Sequence, residues 1–415
     1  MYNWQGKKLL VLGATKLLCQ VVNEAHKYGA KVVAIDYFEN SPAKKIADES
    51  YLISTTDVDA VVKLIQEKSI DGIVTGFMDS MLPYYKEICK KANLPCYIDN
   101  QEQITFTTDK AVFKNYLKEF DIPCISEYQP DDDIKFPVIV KPVDNSGARG
   151  ISVCRNQQEL KKGIALALEY SKSKKYLIEK YLDCQEATAF YLFVDGKAYF
   201  IAMGDRHVMP VKDGFIKLPT GYSFPSPHSA DFAANYDAKF QKMFQKLQIK
   251  NGMMFLQCFI DKNGKCIPYE PGFRLTGSLE YILLDKVCGY NPLAMMINFA
   301  LTGKMTSGDE LSKINPLNMN KCYNISCLLR DGEISAIKGI EQLKKQEGIV
   351  EIFESYEQGD VLAETVWGKL AQIGVRLFLV PKDKKHYEEL QKIIKKTLTI
   401  ESKTGNMVIN YGIVE

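Results

Sequence analysis

Short apolar runs alternate with stripes of helical period over residues 8–98. Leu9-Leu10-Val11-Leu12 reads as a buried strand ending at Gly13, and Leu18, Val21, Val22 and Ala25 then recur at helical spacing. Gly29 closes that helix, and Val32-Val33-Ala34-Ile35-Asp36 forms a second strand. Val61, Leu64 and Ile65 predict another helix, as do Tyr85, Ile88, Cys89 and Ala92. Gly72–Thr75 and Cys96–Ile98 are the remaining strands of the series. Such β-α-β-α alternation predicts a parallel sheet with right-handed crossovers.

The pattern changes near Thr105. Thr107-Thr108-Asp109 offers an N-cap, and Phe113, Tyr116, Leu117 and Phe120 stripe a helix ending by Ile122-Pro123. Strands follow at 138–141, 151–154, 176–179, 189–194 and 198–202. The last two flank Asp195-Gly196, a type I′ hairpin signal. Residues 218–227 are proline-rich and aromatic, and are expected to form a lid or one wall of an acceptor pocket. Beyond Asn315 come a second hairpin signal at Asp331-Gly332, a helix around 341–346 and a last helix near 387–396. The expected fold class is α/β and α+β: a parallel-sheet domain at 1–105, a central mixed domain at 106–312, and a small β-rich domain at 313–415.

Composition narrows the function classes. The 53 basic and 51 acidic residues nearly cancel, so no basic footprint argues for nucleic acid. No apolar run approaches the ~20 residues of a membrane span, and the start lacks the apolar core of a signal peptide. Eleven cysteines without a CxxC pair read as reduced core residues of a cytoplasmic protein. The four histidines lack metal-ligand spacing, which argues against zinc. A dinucleotide is also disfavoured: Gly13-Ala14-Thr15-Lys16-Leu17-Leu18 has one glycine where the pyrophosphate turn wants three. Asp36 alone, at the end of the second strand, does not restore that reading.

Three stretches carry chemistry. In Val138-Ile139-Val140-Lys141-Pro142-Val143-Asp144-Asn145-Ser146-Gly147-Ala148-Arg149-Gly150, a strand delivers a lysine and then a small-residue turn able to lay N–H groups and a hydroxyl over phosphate oxygens. It is not a Walker A loop, and by itself it would pass for an exposed hairpin. In Tyr176-Leu177-Ile178-Glu179-Lys180-Tyr181-Leu182, a strand end offers a carboxylate and backbone groups to an adenine. In Glu270-Pro271-Gly272-Phe273-Arg274, a carboxylate precedes an arginine by four residues, one suited to Mg²⁺ and the other to an acyl phosphate.

In this order the elements resemble the ATP-grasp superfamily over nearly the whole chain. The resemblance implies ATP and Mg²⁺ as cofactors and a carboxylate–amine ligase activity proceeding through an acyl phosphate. It assigns ATP phosphates to Lys110 and Lys141, with Ser146, Gly147 and Gly150 in the closing loop. Adenine falls to Glu179, Lys180 and Leu182, ribose to Glu186, Mg²⁺ to Glu270, and the acyl phosphate to Arg274. Arg206 and His207 are candidates for the substrate side. Two departures stand out: Gln257 occupies the position of a second metal acid, and Gly272 that of an asparagine. Asp261 and Glu280 are the nearest further acids. The partners implied are small-molecule carboxylate and amine substrates, not nucleic acid or membrane, and a homodimer is allowed. A purine-pathway ligase acting on a ribosyl-amine and a non-catalytic ATP-binding regulator are the alternatives.

Overall fold

The computed structural model describes residues 2–145, 149–212 and 216–413. Its first sheet is wholly parallel, built from β1 (Lys8–Leu12), β2 (Lys31–Ile35), β3 (Glu49–Tyr51) and β4 (Gly72–Thr75) in the order β3-β2-β1-β4. The crossover helices α1 (Cys19–Lys27), α2 (Val58–Lys68) and α3 (Leu82–Ala92) fall where the apolar stripes predict them. One strand differs. Cys96–Ile98 joins no ladder, and its place in the sheet is taken by the short, polar Glu49–Tyr51 edge strand. Tyr97 is instead anchored by its side chain, its ring against Tyr85 and Phe273 and its hydroxyl on the Phe273 carbonyl at 3.4 Å.

Strand order reverses between β1 and β4, so the crevice at their carboxyl ends is the natural ligand position of such a sheet. Leu18 intrudes there: a Cβ on Gly76 would lie 2.9 Å from its side chain. Asp36 accepts from the Ala14 and Phe38 amides at 2.8 and 2.9 Å, so its oxygens fasten the turns.

Helices α4 (Gln101–Thr108) and α5 (Lys110–Glu119) follow, and Asp109 caps α5 by accepting from the Ala111 and Val112 amides. The chain then forms an antiparallel sheet of β5 (Glu127–Tyr128), β6 (Val138–Pro142), β7 (Ser152–Cys154) and β8 (Tyr176–Lys180), ordered β5-β8-β6-β7. Helix α6 (Gln157–Tyr170) covers it. Val138, Val140, Cys154, Leu160, Ala167 and Ile178 make a small core of their own.

The third sheet is the largest. Its strands are β9 (Gln185–Val194), β10 (Lys197–Lys212), β11 (Ile216–Phe224), β12 (Gly252–Ile260), β13 (Cys266–Gly272) and β14 (Cys322–Leu329), with later strands described below. The β9–β10 turn has φ of 48° at Asp195 and 82° at Gly196, the two positive values a type I′ turn needs. Residues 218–224, expected in a loop, belong to β11. Residues 218–222 and Phe224 are buried, a continuous run such as a strand covered on both faces shows, which the prolines obscured. Pro219 is tolerated because β14 pairs with β11 only from Gly221 onward.

The Asp331-Gly332 signal does not make a hairpin. β15 (Gly332–Glu333) pairs with β18 (Val361–Leu362), and β16 (Ala336–Lys338) with β20 (Thr399–Ser402), which also pairs with β21 (Gly405–Asn406). Only Gly332 of the dipeptide has a positive φ, and the Asp331 carboxylate receives Trp367 Nε1 at 2.7 Å. The expected 341–346 helix is a single turn at Ile340–Leu343, while the last helix is longer, Lys384–Thr397. Strands β17 (Ile349–Glu354), β19 (Ile373–Leu379) and β22 (Val408–Tyr411) extend the large sheet. Its order is β13-β12-β9-β10-β11-β14-β19-β17, with β22 also on β14. One ladder therefore runs from Glu270 to the C-terminal strands.

Candidate functional site

Two buried lysines converge on one carboxylate. Glu179, at the end of β8 and 1% exposed, receives Lys141 Nζ from β6 at 2.6 Å and Lys114 Nζ from α5 at 2.8 Å. Burial pushes the Glu179 carboxyl up, but the two ammonium groups outweigh it and hold its pKa below the usual range. Lys114 also meets Glu127 at 2.5 Å and the Ile125 carbonyl at 2.8 Å. Sequence reasoning missed Lys114, although it lies one helical turn beyond Lys110. Lys110 Nζ donates to the Asn145 carbonyl at 2.6 Å, at the root of the loop. Burial lowers its pKa, Glu270 opposes that shift, and Lys141 adds to it. Lys110, Lys141, Glu179 and Glu270 thus share one electrostatic neighbourhood.

A second group is arranged by strand register. Gln257 on β12 stands directly opposite Glu270 on β13 and opposite Thr188 on β9. Glu186 lies two residues from Thr188, on the same face, and opposite Arg206 on β10. Arg206 donates to Glu186, and the Tyr269 hydroxyl reaches the same carboxylate at 3.0 Å. The bulge between Gln257 and Cys258 gives Tyr269 this position, with its ring 4.5 Å from that of Phe259. His207 follows Arg206 directly and points to the other face, where it meets Ser223 Oγ at 2.8 Å. The Thr188 hydroxyl is buried without a hydrogen-bond partner among the described residues.

Arg274 is gripped from three sides. Its guanidinium donates to Asp79 in the N-terminal unit at 2.6 Å and to the Leu275 carbonyl at 3.0 Å, and lies 5.0 Å from the centre of the Phe255 ring. That ring explains Gly272. The two residues are cross-strand partners, and a Cβ on Gly272 would sit 2.3 Å from ring carbons, leaving no room for asparagine.

The remaining assigned residues fall at the edges. Lys180 is exposed and its amide donates to the Ser126 carbonyl at 3.0 Å, whereas the Leu182 amide has no hydrogen bond among the described residues. Gly150 has φ of +77° and no space for a Cβ, which would lie 2.7 Å from Tyr170. Ser146 and Gly147 lie outside the described residues. Asp261 sits at the far hairpin turn, accepting from the Asn263 and Lys265 amides. Glu280 is buried beside Thr276.

The donor set suits a hard cation held largely by nucleotide oxygens: one free carboxylate, Glu270, beside one amide oxygen, Gln257. Among the described residues no group of three His, Cys, Asp or Glu side chains forms a metal cluster. All eleven cysteines are free, and no described helix is long and apolar enough to cross a membrane.

Residues 134–280 match the family model of the ATP-grasp domain. The formate-dependent phosphoribosylglycinamide formyltransferase of Bacillus subtilis (strain 168) is 28% identical over 230 residues, covering 51% of this chain and 57% of that protein. The chain spans about half the length of the curated relatives it matches. An L-amino acid ligase structure from Bacillus licheniformis superposes with a TM-score of 0.76 at 18% identity, covering 96% of this chain and 99% of that one. The biotin carboxylase domain of the Hydrogenobacter thermophilus 2-oxoglutarate carboxylase, solved as a dimer with MgADP and bicarbonate, gives 0.78 at 17% identity over 97% and 91%.

Proposed function

We propose that the chain is an ATP-grasp ligase, an ATP-dependent carboxylate–amine ligase working through an acyl phosphate; the match of residues 134–280 to the ATP-grasp domain supports this. The observation that carries this reading is the convergence of Lys110, Lys141 and Glu179 with Glu270 and its cross-strand neighbour Gln257.

In the first step, a substrate carboxylate oxygen attacks the γ-phosphorus of ATP, the bond to the β-phosphate oxygen breaks, and ADP leaves. Lys110 and Lys141 carry the positive charge that the phosphate oxygens need as the bond pattern changes. Ser146, Gly147 and Gly150 keep the phosphate assignment that the resemblance gives them, while the Leu182 amide and the Glu179–Lys180 main chain meet adenine. Glu186 faces the ribose once Arg206 shares it. Mg²⁺ would be held by Glu270 and the Gln257 carbonyl and would supply charge neutralisation between the phosphates. In the second step an amine attacks the acyl carbon. A carbon–nitrogen bond forms, the carbon–oxygen bond to phosphate breaks, and the amine loses a proton. Arg274, held by Asp79 and Phe255, steadies the acyl phosphate.

The reading keeps residues 1–105, 106–312 and 313–415 as functional divisions, a cytoplasmic setting, and small-molecule partners, with a homodimer allowed. His207 has no assigned part, since it faces away from Arg206. Phosphate release from Mg-ATP, screened with mixtures of carboxylates and amines and compared between wild type and Glu270→Gln, is the test. Turnover that survives Glu270→Gln unchanged excludes this site. A ribosyl-amine as the only effective amine would favour the purine-pathway reading, and ATP binding without turnover in any mixture would favour the regulator.

A further inference from the structure

The face carrying Glu270 and Gln257 does not end at Arg206. Register continues it from Arg206 to Tyr222 on β11, to Asn324 on β14, and, two residues along that strand, from Ser326 to Arg376 on β19. Arg376 is 8% exposed, and its guanidinium has no hydrogen bond or ion pair among the described residues. Its nearest charge influences are Glu280 and Tyr222, too weak to offset burial, which pushes its pKa down to about 10. Two acceptors in the same cluster are also unmatched. Glu280, 2% exposed, uses one oxygen on the Thr276 hydroxyl and leaves Oε1 buried without a partner. Asn324, fully buried, donates to the Ser278 carbonyl at 2.5 Å and leaves Oδ1 without a partner.

A buried guanidinium whose nearby carboxylate, Glu280, does not reach it in a direct ion pair is costly, and so is each orphaned acceptor. A fold that keeps all three together leaves room for a group that accepts from Arg376 and donates to the two acceptors. We propose that Arg376, Glu280 and Asn324 form the acceptor site of the ligase, and that its occupant is a small α-amino acid. Its carboxylate pairs with Arg376, and its ammonium donates to Glu280 Oε1 and Asn324 Oδ1. This inference rests on the ligase reading above and names the amine for it.

The charge count favours that class. One arginine against one glutamate matches a zwitterion, whereas a phosphate would bring two negative charges towards Glu280. A simple dicarboxylate would leave both acceptors unmatched. Location agrees as well: Thr276, Ser278 and Glu280 belong to the segment that begins at Arg274, so the cluster lies along the chain from the residue assigned to the acyl phosphate.

The test uses the full chain, with common L-α-amino acids, their α-carboxamides and ribose 5-phosphate as probes. Thermal shift and Mg-ATP-dependent phosphate release are the readouts. A subset of the amino acids should raise the melting temperature and stimulate phosphate release, and the carboxamides and ribose 5-phosphate should not. Arg376→Met should raise the KM for the effective amino acid roughly ten- to hundredfold, with Arg376→Lys intermediate and the ATP-induced shift intact in both. The apo Arg376→Met protein should melt no lower than wild type, since it loses an unpaired buried charge. An Arg376→Met variant that melts lower but keeps wild-type amino-acid KM makes the arginine a structural residue and overturns the proposal. So does a preference for ribose 5-phosphate or for the carboxamides. Phosphate release that needs other substrates and ignores Arg376 leaves the ligase standing and removes this site. Absence of any ATP shift in wild type instead removes the ligase reading, and this inference with it.

Discussion

Gln257 and Glu270 face each other across neighbouring strands, so an uncharged amide stands where it can share a cation with a single carboxylate. A lone carboxylate attracts free Mg²⁺ weakly, and the metal is expected to arrive as the ATP complex. Gln257→Glu should tighten Mg²⁺ binding at low metal concentration without ATP. Titration of Mg²⁺ against both proteins, with and without nucleotide, checks it. Tight binding of free Mg²⁺ by the wild type would mean that a further ligand exists.

Lys141→Ala should abolish most of the ATP-induced rise in melting temperature, which exists only because ATP binds the native state. Glu179 keeps Lys114 as its partner in that variant, so the apo protein should lose little stability. A full shift in the mutant would detach the nucleotide from this strand.

Lys114→Met removes the lysine that also holds Glu127 and the Ile125 carbonyl, so it should cost more than Lys141→Ala, roughly 3 kcal/mol, the scale for breaking a buried pair. The acid limb should move too. Glu179 has a lowered folded pKa, so its contribution is present above the unfolded value of about 4.3 and disappears as pH falls through the folded one. With one lysine gone, that loss should begin at higher pH. Melting curves from pH 7 to pH 3 (the range is about the carboxylate titration) decide it, and coincident acid limbs would contradict the network.

Lys110 should take up a proton when ATP binds. Its folded pKa is depressed by burial, so above that value the apo lysine is partly neutral, and arriving phosphates favour the charged form. Calorimetry at alkaline pH in two buffers of different ionisation heat should show net uptake that Lys110→Met removes.

Gly272→Asn should cost about 1–3 kcal/mol by overpacking against the Phe255 ring. Phe255→Ala in the same chain should recover part of that loss, a coupling measurable by a double-mutant cycle. Additive effects would show that the ring is not what excludes the side chain.

Much of this was legible in the sequence because it is local. The α5 cap at Asp109, the Asp195-Gly196 turn and the parallel strands β1, β2 and β4 each follow from neighbouring residues. The failures are non-local. β3 carries no apolar run, and Cys96–Ile98 looks like a strand until Tyr97 finds Phe273, far along the chain. The prolines of 218–227 hid a strand that is buried on both faces over residues 218–222. For the candidate site, motif order nominated Lys110, Lys141, Glu179, Glu270 and Arg274, of which the first four share one electrostatic neighbourhood. It gave no hint of Lys114, Asp79, Phe255 or Arg376, whose partners are set by packing and register.

The small core of Val138, Val140, Cys154, Leu160, Ala167 and Ile178 is separate from the main core beneath the large sheet. Lys141 and Glu179 are rooted in the first, Glu270 and Gln257 in the second. A substitution that loosens the small core should therefore loosen Lys141 and Glu179 while Glu270 and Gln257 keep their geometry. The proposed nucleotide site is thus shared between two cores, and selection can adjust its two halves separately within one chain.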